Sequence, residues 1–83
     1  MIRLLYFAWV RERIGLGEES LPLAAPALLS AIVDRLCGQS AGHAAAFADM
    51  SRIRAAVNQD FVGFDAMVQP GDEVALFPPV TGG

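Results

Sequence analysis

Eighty-three residues with a formal net charge of −3 leave room for one domain and argue against nucleic acid as a ligand, because no basic stripe is available to neutralise phosphates. Hydrophobic residues make up 54% of the chain, more than so small a core can hide, so an apolar surface patch that meets a partner is expected. All six basic residues are arginines, and a lone cysteine rules out an internal disulfide.

Ile2 to Val10 reads as a first strand, apolar on both alternating faces with only Arg3 polar. A sheet with one wet face would alternate. This strand is therefore expected inside a sheet, with a helix covering one face and a partner covering the other. Gly15-Leu16-Gly17 marks a turn, and Glu18 to Leu23 a second strand in a hairpin with the first. Pro26 suits the first position of a helix. Leu28, Leu29, Ile32, Val33 and Leu36 then recur at helical spacing and give it one apolar face. Arg35 suits the dipole of its last turn, and Gly38 is expected to stop it as a C′ residue.

The alanine-rich segment 40–50 predicts a short second helix, which Gly42 weakens at its start. Ile53, Ala55 and Val57 alternate with Arg52, Arg54 and Ala56 as a third strand. Asn58-Gln59-Asp60 reads as a turn, with a short return strand from Phe61-Val62. Pro70-Gly71-Asp72 signals a further turn before a last strand, Glu73 to Phe77. The order ββα(α)βββ predicts an α+β domain with one main helix on a sheet over 1–77, and an extended tail over 78–83.

The longest uncharged stretch, 20–33, is interrupted by Pro22 and Pro26 and falls short of the ~18 apolar residues a membrane span needs. Met1-Ile2-Arg3 leads straight into strand-like sequence, so no signal peptide is expected and a cytoplasmic location fits best. Catalytic groupings are not evident. His43 is the only histidine and is expected to cap a helix or face solvent; Cys37 is expected to be a small buried residue. Asp60, Asp65 and Asp72 look like turn residues, and no ligand cluster has metal-site spacing, so the metal expectation is none.

The reactive group is then best sought at the end of the chain. Pro78-Pro79 stiffens an arm, and Val80-Thr81 leads to Gly82-Gly83, a narrow tip with nearly unrestricted φ that could thread into a partner's pocket. The Gly83 carboxylate is ionised near neutrality and needs activation before it can react. With no lysine in the chain, an activated carboxyl has no side-chain amine of its own to meet.

Three segments carry a resemblance: Ile2 to Gly15 (IRLLYFAWVRERIG), Ala55 to Val62 (AAVNQDFV) and Gly71 to Gly83 (GDEVALFPPVTGG). They resemble the small subunits of molybdopterin synthases, ubiquitin-like sulfur carriers of the β-grasp fold, and the match extends over essentially the whole chain. The resemblance implies no permanent cofactor. It implies instead an E1-like adenylating enzyme that uses ATP on the Gly83 carboxylate and a sulfur donor that converts the acyl-adenylate to a thiocarboxylate. It also implies a large subunit that receives the tail and supplies the catalytic side chains. Gly82 would lend the tail flexibility. Leu5, Phe7, Phe61 and Phe77 are the expected contact patch, with Arg11 at its rim and Pro78, Pro79, Val80 and Thr81 in the inserted arm. A sulfur carrier for thiamin thiazole synthesis, a ubiquitin-like modifier conjugated through the diglycine, and an inert binding module remain alternatives.

Overall fold

The computed structural model describes residues 1–79. Its elements are β1 (Ile2–Tyr6), α1 (Ala8–Ile14), β2 (Glu18–Leu21), β3 (Ala27–Leu28), α2 (Leu29–Cys37), α3 (Ala41–Ala46), a 3₁₀ turn (Met50–Arg52), β4 (Arg54–Val57), β5 (Asp60–Val62), β6 (Met67–Val68) and β7 (Glu73–Phe77). Five strands form one mixed sheet in the order β2-β1-β7-β4-β5, and β3 and β6 make a separate two-stranded pair. β1 and β7 run parallel, and the other pairings of the large sheet are antiparallel.

The first strand ends earlier than its composition suggests. Phe7 is extended, Ala8 turns into the left-handed region at φ 52°, and α1 follows. Val10 and Ile14 sit one helical turn apart and face the core, while Arg11, Glu12 and Arg13 stay outside. The apolar run 2–10 hides the change of period from two to 3.6 at Phe7, which is why the helix was not legible there. Gly15 closes α1 at φ 88°, its N–H donating to the Arg11 carbonyl at 2.8 Å.

Other boundaries shift for local reasons. The second strand stops at Leu21, before Pro22, which cannot donate to the ladder. Pro26 does not open the main helix: Ala27 and Leu28 first pair with Val68 and Met67, and α2 begins at Leu29. Leu28 therefore lies on the small sheet and is exposed, while Leu29, Ile32, Val33 and Leu36 fill the core as expected. Gly38 follows α2 with right-handed backbone, φ −82°, so it does not use glycine's special freedom. The alanine-rich helix does form, as α3, capped by Ser40, whose Oγ accepts from the His43 backbone N–H at 3.1 Å. The third strand begins at Arg54, one residue after Ile53.

The core lies between the inner face of the large sheet and the helices. Ile2, Leu4, Tyr6, Val74 and Leu76 meet Val10, Leu29, Ile32, Leu36 and Phe47, all essentially removed from water. β1 is interior, as expected, though the central strand is β7.

Candidate functional site

Strand register defines a second, outer face. Glu18, Leu5, Ala75, Ala56 and Phe61 stand in one row across all five strands, because each is the register partner of the next. Phe77 and Arg54 pair in the neighbouring row. Side chains alternate across a pleated sheet, so this row and its neighbour share the face away from the core. The middle of the face is low and apolar, at Ala75 and Ala56, and both sides rise.

On one side Phe61, 82% exposed, packs against Phe77 with ring centroids 5.8 Å apart and planes inclined at 51°. These rings line an open groove with Arg54, Ala55, Val62 and Pro79. On the other side Leu5, Phe7 and Arg11 line a shallow groove with Tyr6, Gly17 and Glu18. Three strand spacings, about 14 Å, separate the Leu5 and Phe61 positions. The expected contact residues thus fall into two clusters on one stripe. Phe61 and Phe77 are surface rather than core. Pro78 and Pro79 continue from β7, half-buried, and the expected site residues Val80, Thr81, Gly82 and Gly83 lie outside the described residues.

A polar network was not foreseen. Of the two expectations for His43, solvent exposure is wrong, since the residue is only 5% exposed, whereas a part in helix capping holds, because it engages the Ser40 cap of α3. Its Nε2 lies 2.6 Å from Glu19 Oε2, and its Nδ1 lies 2.7 Å from Ser40 Oγ. The Tyr6 hydroxyl donates to the same Glu19 oxygen at 2.7 Å. An ionised carboxylate only accepts, so the closed arrangement has the Ser40 hydroxyl donating to Nδ1 and Nε2–H donating to Glu19. Burial, then the bond to Glu19, holds the Tyr6 phenol protonated well above its ordinary range. The Ser40 cap at the start of an alanine run was the one sequence signal pointing here. The network ties β1, β2 and α3 together and leaves no buried side-chain polar atom unpaired among the described residues.

Cys37 is half-buried rather than fully buried, and burial followed by the Asp34 charge pushes its thiol pKa up, so it is a poor nucleophile. Among the described residues no group of three or more potential ligands could hold a metal ion, and no helix is long and apolar enough to cross a membrane.

A mixed five-stranded sheet wrapped on a helix, with an apolar outer stripe beside the base of its last segment, defines a ubiquitin-like β-grasp domain. The comparisons agree. The chain matches the ThiS family over residues 4–83, and it belongs to that family. It is 43% identical over 83 residues to the molybdopterin synthase sulfur carrier subunit of Escherichia coli (strain K12), covering 100% of both chains. Among solved structures it resembles the putative molybdopterin converting factor, subunit 1, of Pyrococcus furiosus, with a TM-score of 0.78 and 27% identity over 95% of this chain and 97% of that one. SAMP1 from Haloferax volcanii superposes with a TM-score of 0.77 and 25% identity, over 99% and 98%.

Proposed function

We propose that this chain is the sulfur carrier subunit of a molybdopterin synthase in molybdenum cofactor biosynthesis, and that its working atom is the carboxyl carbon of Gly83. The observation that carries this reading is full-length similarity to a sulfur carrier subunit of that synthase. The outer stripe supports it, because a body with an exposed aromatic pair at the base of its last segment is built to be held by another protein.

In this reading an E1-like enzyme joins the Gly83 carboxylate to AMP from ATP, releasing pyrophosphate. Sulfur from a donor displaces AMP and leaves a thiocarboxylate. The large subunit then takes the tail, and the sulfur attacks a pyranopterin precursor on its way to the dithiolene. Water restores the carboxylate. A chain-end thiocarboxylate stays ionised and nucleophilic, and its tether presents it at high effective concentration. Catalytic side chains belong to the large subunit. Ordering the tail costs about 1–2 kcal/mol per residue, most at Gly82 and Gly83, so affinity comes from Leu5, Phe7, Phe61 and Phe77 with Arg11 at the rim. An ATP-dependent activation step fits a cytoplasmic location.

Intact-mass spectrometry tests the reading. The protein is incubated with ATP, the adenylating enzyme and a sulfur source. Replacement of one C-terminal oxygen by sulfur is expected. Adducts on lysines of other proteins would make it a modifier, an unchanged mass an inert module, and delivery of sulfur only to a thiazole synthase a carrier of the thiamin pathway.

A further inference from the structure

We infer that Trp9, Arg13, Arg52 and Arg54 form a basic collar at the tail-bearing end of the sheet, which docks onto a carboxylate-rich rim of the synthase large subunit. The inference rests on the sulfur-carrier reading and adds the chemistry of the partner's face.

Register brings these residues to one end. β1 and β7 are parallel with Tyr6 opposite Leu76, so α1 starts where β7 finishes. Arg54 opens β4 opposite Phe77, the last residue of β7, and Arg52 ends the 3₁₀ turn just before it. The guanidinium carbons of Arg13 and Arg52 lie 4.6 and 5.3 Å from the centroid of the Trp9 ring. Arg54 is held by main chain, its Nη1 donating to the carbonyls of Ser51 at 3.1 Å and Ile53 at 3.0 Å. Three cations from two separate segments are thus fixed at the strand end that leads into residues 78–83.

None of the three makes a close ion pair among the described residues, although, after the hydrogen bonds from Ser51, the Arg52 charge contributes weakly to holding Asp49 ionised. Among the described residues Arg3 pairs with Glu18 and His43 hydrogen-bonds Glu19, and neither contact involves the collar. The acidic groups nearest in sequence are Glu12 on α1 and Asp49 before the 3₁₀ turn. Asp49 is engaged by Ser51, whose N–H and Oγ both donate to its Oδ1, at 3.1 and 2.6 Å. A guanidinium lying over an indole keeps its N–H edge available for a carboxylate. Holding two like charges over one ring is unfavourable until anions come to bridge them. In a chain of net charge −3 this cluster is a local concentration of positive charge.

Geometry selects the occupant. Arg54 lines the same groove as Phe61, Phe77 and Pro79, so the collar is continuous with the apolar stripe that a partner is proposed to cover. A nucleotide on Gly83 is a poorer fit, because six residues separate that carboxyl from Phe77, a reach of up to about 20 Å for any extended chain of that length. Carboxylates around the mouth of the pocket that takes the tail meet both requirements. Such pairs act mainly on encounter rate and orientation, and they are screened by salt.

The test is titration of the purified large subunit of the same organism into the full-length protein, with Trp9, the only tryptophan, as the fluorescent reporter. The proteins compared are wild type, R13E/R52E/R54E and R13Q/R52Q/R54Q, each checked for fold by circular dichroism. At 50 mM NaCl the charge-reversed protein is expected to bind at least roughly tenfold more weakly, and at 0.5 M NaCl the proteins converge. The glutamine set falls between and keeps the test alive should charge reversal impair folding. Equal affinity and equal salt dependence in all three would overturn the collar, as would lost binding to the adenylating enzyme alone. A wild type that fails to bind the large subunit at all removes the sulfur-carrier reading itself, and the collar with it.

Discussion

The rings of Phe61 and Phe77 meet at 5.8 Å although their strands are not neighbours. β4 runs between β5 and β7, which places the two backbones about 10 Å apart. The contact closes diagonally across β4, where Phe61 lies opposite Ala56 and Phe77 opposite Arg54: Ala56 is small, and the Arg54 guanidinium is held by the Ser51 and Ile53 carbonyls. A small residue on the middle strand thus lets two aromatics form a raised, solvent-facing ridge beside Pro79.

The ridge predicts a separation of binding from folding. Phe61 is 82% exposed, so Phe61→Asp should change unfolding free energy by no more than about 0.5 kcal/mol. The same change should weaken large-subunit binding by roughly 2 kcal/mol or more, the scale of a central aromatic anchor. Phe77→Asp should do the same to binding with a somewhat larger effect on stability, since Phe77 is half-buried. Urea unfolding and calorimetric titration measure the two quantities. Loss of fold in Phe61→Asp would show the residue to be core.

A chain extended by one residue after Gly83 moves the carboxylate away from its proposed place of activation. Thiocarboxylate formation is expected to stop, while the thermal unfolding midpoint stays where it was. Mass spectrometry and calorimetry read these outcomes, and undiminished sulfur loading would refute the chain-end handle.

Tyr6 predicts a pH dependence with a definite sign. In the fold burial first, and the hydrogen bond to Glu19 second, raise its pKa above the ordinary value. An unfolded tyrosine titrates near pH 10. The stabilisation is therefore complete below about pH 10 and is lost as pH climbs beyond it, at up to about 1.4 kcal/mol per unit, because only the unfolded chain gives up the proton. Tyr6 is the only tyrosine, so tyrosinate absorbance should appear together with unfolding and not before it. Tyr6→Phe should cost about 1–2 kcal/mol at pH 8 and flatten the alkaline limb. A native protein whose phenol titrates freely near pH 10 would contradict the network.

Legibility in the sequence followed the nature of each signal. The last strand, Glu73–Phe77, was read to the residue because a strong turn precedes it and a proline pair follows it. The buried face of α2 was read from its spacing. The two-residue strands β3 and β6 were missed because two residues cannot show a period. The first helix was masked by apolar residues that suited either structure. At the site, Phe61 and Phe77 were named as contact residues, but the meeting of their rings was not legible, since it depends on their diagonal placement across Ala56 and Arg54 of β4. His43 was misplaced because its partner Glu19 is 24 positions away, a distance over which sequence carries no pairing signal. Arg52 and Arg54 read only as the polar half of a strand, and their meeting with Trp9 is tertiary.

Gly42 predicts a cost where helix propensity predicts a gain. A Cβ at this position would lie 2.5 Å from the Arg13 carbonyl oxygen and 3.3 Å from Ile14 Cα. These are main-chain atoms of α1 and cannot rotate aside. Alanine normally favours a helix by about 1 kcal/mol over glycine, but overpacking costs about 1–3 kcal/mol, so Gly42→Ala should destabilise on balance. Denaturant unfolding measures it. A more stable variant would mean that α1 and α3 separate at little cost.

Gln59 predicts the opposite kind of change. The β4–β5 hairpin turns through Asn58 at φ 50° and Gln59 at φ 74°, both left-handed. Asn58 earns its position through its side chain: Oδ1 accepts from the Glu73 N–H at 3.0 Å, and Nδ2 donates to Asp72 Oδ1 at 3.0 Å. Gln59 has no such bond among the described residues, so its left-handed backbone is uncompensated strain. Left-handed geometry costs an ordinary residue about 1–2 kcal/mol, and glycine's extra freedom when unfolded returns part of that. Gln59→Gly should therefore raise stability by about 0.5–1 kcal/mol and leave binding unchanged. Asn58→Ala should lower stability, because it loses both side-chain bonds while keeping the strained backbone. If Gln59→Gly lowered stability as well, the glutamine side chain would have to be packing on the sheet, and the turn would not be the weak point that its dihedral angles indicate.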